Sequence, residues 1–387
     1  DGEFTARLLY ALAGTALVAM PLLLRSRLGN LGALITSVML AFSPAMLYFS
    51  RFARNDILVA AWTFGLVIVM WRYIDERKNR WLHIGAGIIA LGFTTKETQY
   101  IVIALLIAFL ITQVWREIRD WLYARKSLNE FSPSASFLVL IATLTLPLCA
   151  AGIAIFQKMA GITLAAEDGV PGLVTGSPDG TGWVVAVGVS VILLAACLWV
   201  GWYWNRRVFF SAWAVFAVIF VLIFTNIGSN PGGVGSGAWQ SLGYWLAQQD
   251  VARGSQPWYY YFTLGAIYEF MPLAVAGISV IYYGFRSGIR PWICLLLIAV
   301  GMIILANDGL SFQRGIIKTE EQDILSYVGK MALLLVYVAA LATPFVLKTS
   351  KFNRFLIFWM IGTFIAYTHA GEKMPWLIVN IVLPLII

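Results

Sequence analysis

The run ILVAAWTFGLVIVMWRYI, residues 57–74, decides the fold class. Nothing between Asp56 and Arg72 is charged, and charge returns at both ends of the run. A helix needs about 20 apolar residues to cross the hydrocarbon of a bilayer, so this segment reads as a transmembrane span. Twelve further runs read the same way: 6–24, 31–49, 82–95, 98–114, 137–156, 183–204, 208–227, 258–284, 292–305, 329–347, 355–370 and 374–387. The runs 82–95, 292–305 and 374–387 are short for a span. The expectation is an all-α polytopic transmembrane helix bundle of about 11–13 spans.

Composition agrees. Of 387 residues 60% are hydrophobic and 12% charged, with a mean hydropathy of +0.81. Soluble domains carry about 25% charged residues, so lipid is the solvent here. The 16 Trp suit interfacial belts. The net charge of +8 does not indicate nucleic acid, because the basic residues sit in short loops between apolar runs. Cys149, Cys197 and Cys294 lie in apolar runs without metal or redox spacing and are expected to be buried and inert. The chain opens Asp1-Gly2-Glu3 without an initiator Met and ends within an apolar run. It is expected to be a single domain, 1–387, cut from a longer protein at both ends.

Alternate loops differ in charge. The set around residues 25–27, 72–80, 116–130, 206–207, 286–290 and 348–354 holds 17 basic and 5 acidic residues. The other set holds 10 basic and 14 acidic residues. The positive-inside rule places the first set in the cytoplasm. The non-cytoplasmic face then receives Arg51, Arg54 and Asp56, then Lys96 and Glu97, the loops 157–182, 228–257 and 306–328, and His369, Glu372 and Lys373. Charge between two apolar runs is costly unless it is paired or faces a polar cavity. An outward-facing polar site is the natural hypothesis, in a multi-pass protein of the cell (plasma or inner) membrane.

Four constellations carry that site. In Ser50–Asp56, Arg51 and Arg54 are spaced to share one helix face and could grip a phosphate. Asp56 begins the next run, where a helix N-terminus favours a carboxylate. A salt-bridge knot fixing helix ends is the bland alternative. In Thr94–Thr98, the neighbours Lys96 and Glu97 point different ways on a helix; Lys96 would face a lipid phosphate and Glu97 a sugar or a partner Arg. A re-entrant turn explains them equally well. In His369–Trp376, Gly371 and Pro375 punctuate a polar turn; Glu372 and Lys373 are candidates, and His369 is either structural or a proton carrier. In Asp250–Tyr261, Arg253 and Gln256 suit phosphate and sugar hydroxyls, and Tyr259 lies in an aromatic run that could stack on a sugar or line a lipid groove. Glu269 is a candidate because it lies deep in its span. The Gly-rich 232–237 reads as a flexible loop. The loops 157–182 and 228–257 are too short for a core of their own. No zinc, dinucleotide or serine-hydrolase motif occurs, and neither a metal nor another cofactor is indicated.

The strings Tyr48–Asp56, Phe93–Thr98, Arg253–Tyr260 and Ala370–Leu377 resemble, in this order, membrane glycosyltransferases of the GT-C type. They are most like the branch of the protein O-mannosyltransferases and the lipid A aminoarabinose transferase. The last three also resemble a prokaryotic family called "flippase activity-associated", linked to archaeal N-glycosylation. The resemblance implies an inverting transferase. It would move a sugar from a polyprenyl-phosphate carrier to a glycan, lipid or protein acceptor at the non-cytoplasmic face. It implies a main catalytic base in an outer loop ahead of Asp1, with Asp56 at a second acidic position of the family. The convergence of charge on the outer face gives the other roles: Asp56, Glu97 and Glu372 as catalytic candidates, and phosphate or substrate contacts from Arg51, Arg54, Lys96, Arg253, Gln256, Tyr259, Glu269, His369 and Lys373. Membrane lipids are implied partners, and other membrane subunits are left open. A lipid-linked glycan transporter and a non-catalytic scaffold subunit are the alternatives.

Overall fold

The computed structural model describes residues 2–123, 125–248, 256–257, 259–313, 327–370 and 373–387. Arg253, Glu372 and much of the segment 306–328 lie outside the described residues. Each apolar run is mainly helical, and the described residues contain no strand. The helices are α1 (Glu3–Ala19), α2 (Arg25–Phe42), α3 (Pro44–Arg51), α4 (Asp56–Glu76), α5 (Arg80–Thr95), α6 (Gln99–Leu122), α7 (Pro133–Thr145), α8 (Gly182–Phe224), α9 (Ser241–Ala247), α10 (Tyr260–Tyr268), α11 (Phe270–Ser287), α12 (Ile289–Gln313), α13 (Tyr327–Val346), α14 (Lys351–His369) and α15 (Ile378–Ile386). Seven helical stretches are long and apolar enough to cross a membrane, or eight if the bent pair α10–α11 is one span. The chain is an all-α polytopic bundle.

The helix α8 shows why thirteen runs fit into fewer long helices. It contains 43 residues; straight, it would reach about 65 Å, roughly twice the hydrocarbon thickness of about 30 Å. Asn205 breaks it with extended backbone (φ −161°, ψ 91°). The Trp202 and Phe210 rings then lie 6.0 Å apart, and a Cβ on Gly201 would collide with the Phe209 ring. Residues eight apart on a straight helix are about 12 Å apart, so α8 is a hairpin. Its turn at Asn205–Arg207 separates the two runs read from the sequence. Asn205 also caps the second arm by accepting from the Val208 amide (3.2 Å).

The helix α4 is the axis of the bundle. It is buried almost continuously from Asp56 to Trp71 and packs against α1, α5, α7 and α15. Apolar side chains are exposed instead on the periphery, among them Val187 and Val191 on α8, Ile278 on α11 and Leu296 on α12. Exposed apolar surface on this scale is what a lipid solvent requires.

The basic loops converge on one end. Arg27 pairs with Asp75, and Glu76 takes Arg72 and Arg80 at 3.0 Å each. His83 Nε2 meets Ser211 Oγ at 2.6 Å. The Lys348 amide donates to Ser287 Oγ (2.8 Å), and the Phe352 ring lies 5.3 Å from that of Trp71. The charge alternation read from the sequence therefore separates two ends of one bundle.

Three details differ from expectation. The Gly-rich 232–237 is packed helical turn, because a Cβ at Gly233 or Gly237 would strike Phe224. The two long outer loops, without a core of their own, pack onto each other and onto the spans: Leu164 and Ala165 meet Trp239 and Leu242 against Ala150 and Ala186, and Trp239 Nε1 donates to the Leu164 carbonyl (3.1 Å). Cys149 is exposed on a helix flank, unlike Cys197 and Cys294. Glu269 does not sit within a straight span but at the break between α10 and α11, which are bent by 105°.

The tight turn of α8 can be tested directly. Gly201→Leu should lower stability by about 1–3 kcal/mol through overpacking, read as a drop in thermal midpoint in detergent. Gly188→Leu, where a Cβ meets nothing within 4 Å, should leave the midpoint unchanged.

Candidate functional site

The site lies at the end opposite the basic loops, where three helix junctions meet. The helix α3 stops at Arg51 because Phe52 turns extended (φ −93°, ψ 128°). Arg51 and Arg54 therefore do not share a helix face, which corrects the expectation from their spacing. The chain re-enters helix at Asp56, whose carboxylate lies in the first turn of α4 and is 1% exposed. The helix α5 ends at Thr95, and Lys96 is also extended (φ −166°, ψ 148°). That conformation throws the Lys96 side chain across the junction, so that Nζ meets Asp56 Oδ1 at 2.6 Å. Arg54 Nε lies 3.6 Å from Asp56 Oδ2. The third junction, His369–Trp376, supplies Trp376, whose ring centroid is 3.4 Å from the Arg54 guanidinium carbon.

Hydrogen bonds lock the first two junctions together. Asn55 Nδ2 donates to the Thr95 carbonyl (3.2 Å), and Trp62 Nε1 donates to Thr95 Oγ1 (3.1 Å). Tyr10 on α1 donates to Asn55 Oδ1 (3.2 Å). The third is held through Tyr261, whose hydroxyl donates to the Met374 carbonyl (3.1 Å). Two cations thus face one buried carboxylate.

Beside Lys96 opens a cavity of about 280 Å³. Lys96, Glu97, Thr94 and Thr95 form one wall, and Thr175, Gln240, Ser241 and Tyr244 face them. Small-molecule sites run from about 300 Å³ upward, so this recess suits a headgroup or sugar rather than a large ligand. Its hydroxyl and amide lining can both donate and accept, as polyol recognition requires.

Behind the pair lies a group of polar side chains that the sequence reading did not single out. Tyr367 is fully buried beside Thr98 and within electrostatic reach of Asp56. The Tyr367 and Thr98 hydroxyls face each other, and both ends of the buried Gln99 amide lack a hydrogen-bond partner among the described residues. Buried unpaired polar groups are rare, and their gathering behind Asp56 marks a place set aside for polar chemistry. The polar run Tyr367-Thr368-His369 closing an apolar helix was the sequence signal for it.

The remaining candidates fall in different places. Glu97 reaches the cavity. Glu269 is 1% exposed and accepts from Ser43 Oγ (2.6 Å) and the Ala45 amide (2.8 Å), at the N-terminus of α3. His369 Nδ1 is 3.3 Å from the Tyr337 hydroxyl on α13, and the residue does not line the cavity. Lys373 Nζ donates to the Ala370 carbonyl (2.9 Å), and burial pushes its proton affinity below the usual lysine range. Arg51, Gln256 and Tyr259 are exposed. Among the described residues no three His, Cys, Asp or Glu side chains gather to hold a metal ion.

Removing one partner of a buried ion pair strands the other charge, at about 3–5 kcal/mol. Asp56→Ala should therefore lower the thermal midpoint sharply, and Asp56→Ala with Lys96→Met should recover much of the loss. A double-mutant cycle measured in detergent checks this; additive losses would mean that the pair does not hold the junctions.

Residues 1–137, roughly the first third of the chain, match a family model described as dolichyl-phosphate-mannose-protein mannosyltransferase. No curated protein and no solved structure matches the chain. The matched segment contains Arg54, Asp56, Lys96 and Glu97, so the charged half of the site falls within the part of the chain that is similar to these mannosyltransferases.

Proposed function

We propose that this protein is a membrane glycosyltransferase that takes a sugar from a polyprenyl-phosphate carrier. The observation that carries the reading is the cluster Arg54–Asp56–Lys96, two cations on one buried carboxylate, opening onto a polar recess of about 280 Å³. The match of residues 1–137 supports it. The basic loops lie on the cytoplasmic side, and the site works at the other face, within the single domain 1–387.

In the proposed reaction the bond from the anomeric carbon to the carrier phosphate breaks. A bond to an acceptor hydroxyl forms on the opposite face, inverting the centre, and the acceptor proton passes to a carboxylate base. The departing phosphate carries the developing negative charge, and stabilising that charge is the largest contribution a site of this kind makes. Lys96 and Arg54 supply it, with Arg253 and Arg51 as further candidate cations. Asp56 holds the Lys96 ammonium in place, and Trp376 holds Arg54. Glu97, Gln240, Ser241 and Tyr244 face the sugar or acceptor hydroxyls. Gln256, Tyr259 and Glu372 remain candidates on the approach, and His369, Lys373 and Glu269 support the junctions. The acceptor is a glycan, lipid or protein, and further membrane subunits are compatible with the exposed apolar periphery.

The break at Glu269 favours a second reading, a transporter of the same lipids, because broken spans line many transport sites. The Glu269 carboxyl, however, is already engaged by Ser43 and Ala45.

Protein reconstituted in liposomes with labelled polyprenyl-phosphate hexoses should release polyprenyl phosphate as sugar is transferred. Lys96→Met should lower the rate by about 10²-fold or more, while Lys351→Met at the opposite end should not. Wild-type turnover by Lys96→Met would overturn the phosphate role, and carrier movement across the bilayer without sugar release would favour transport.

A further inference from the structure

A second recess lies at the basic end, far along α4 from Asp56. Its volume is about 220 Å³, and its walls come from the α4–α5 turn, the segment leading into α7, and the hairpin turn of α8. Its polar lining is Arg77, Asn79, Asn129, Ser136, Asn205 and the edge of Trp204, with Tyr73 at the base. Each of these side chains carries a hydrogen-bond donor, that of Ser136 being shared with the Phe131 carbonyl (3.4 Å), and no carboxylate lines the recess. Leu82, Phe131 and Val208 add an apolar wall.

The neighbouring acids are engaged elsewhere. Asp75 pairs with Arg27, while Glu76 takes Arg72, Lys78 and Arg80. Glu130, next to Asn129 in the chain, is not part of the lining. Arg77 has no acidic partner among the described residues, and it holds left-handed backbone (φ 54°, ψ 27°) that L side chains rarely adopt. The Asn205 break brings Trp204 and Asn205 to the same recess. A cation held in a rare conformation, ringed by donors and flanked by apolar surface, fits an anionic group with an apolar attachment.

We infer that this recess binds a phosphate group, as carried by the headgroup of an anionic membrane lipid, at a site separate from that of sugar transfer. Its size admits a phosphodiester headgroup but no larger ligand, and its place among the basic loops is where anionic lipids concentrate. The inference does not rest on the glycosyltransferase reading.

The test is thermal unfolding of the whole protein in neutral detergent, with added phosphatidylglycerol, phosphatidylcholine or inorganic phosphate. Arg77→Gly removes the cation and relaxes the backbone, so it should fold at least as well as wild type; Asn129→Ala is the second variant, and Lys351→Gln the control. Phosphatidylglycerol should raise the wild-type and Lys351→Gln midpoints, phosphatidylcholine should not, and Arg77→Gly and Asn129→Ala should lose the shift. Native mass spectrometry should show at least one fewer tightly held phosphatidylglycerol on Arg77→Gly. A shift reproduced by inorganic phosphate alone and lost in Arg77→Gly would assign the site to free phosphate instead of lipid. Equal shifts in wild type and Arg77→Gly, or no shift with either anion, would overturn the inference.

Discussion

One ion pair organises this end of the molecule. Asp56 is the first residue of the long buried helix α4, in a place where an unpaired carboxylate would be very costly. Its partner Lys96 comes from the α5–α6 junction, and Arg54 from the α3–α4 junction. Satisfying one charge therefore fixes the relative position of four helix ends. The hydrogen bonds of Asn55 and Trp62 to Thr95 repeat that constraint with neutral groups. Trp376 extends it to the last part of the chain by covering the Arg54 guanidinium. The arrangement ties the junctions together, sets two cations on one buried carboxylate, and borders a polar recess that Glu97 also lines. Those are the properties wanted where a phosphate leaves.

Much of this was legible in the sequence. The apolar runs marked the helices because each is bounded by charge or turn residues, and the alternation of basic loops sorted the helix ends into two groups. Asp56 and Lys96 stood out because charge between two apolar runs needs a reason. Their pairing was not legible: it depends on Lys96 adopting extended backbone, which nothing in Thr94–Thr98 dictates. The spacing of Arg51 and Arg54 misled for a similar reason, since α3 ends between them. Glu269 was marked by its depth, but only the fold could bring it to the start of α3, more than 200 residues earlier in the chain. The cavity wall of Thr175, Gln240 and Tyr244 was out of reach, because polar loop residues carry no periodic signal until a small core such as that around Trp239 fixes their position.

The two ends use the same devices for different purposes. At the basic end, Asp75 and Glu76 neutralise their neighbours and leave Arg77 over, held in left-handed backbone. At the other end, Asp56 neutralises part of the charge of Arg54 and Lys96. In both places a helix break creates the recess and brings a cation to its wall. The apolar interior of α4 runs between them, so each end can be altered without disturbing the other.

The most direct measurement is the structure, by electron cryomicroscopy in a lipid nanodisc, of the protein with a short-chain polyprenyl-phosphate hexose. The account predicts phosphate density within hydrogen-bonding distance of Lys96 Nζ, with the hexose in the recess lined by Glu97, Gln240 and Tyr244. Well-ordered donor density elsewhere, with the Lys96–Asp56 pair uncontacted, would contradict it.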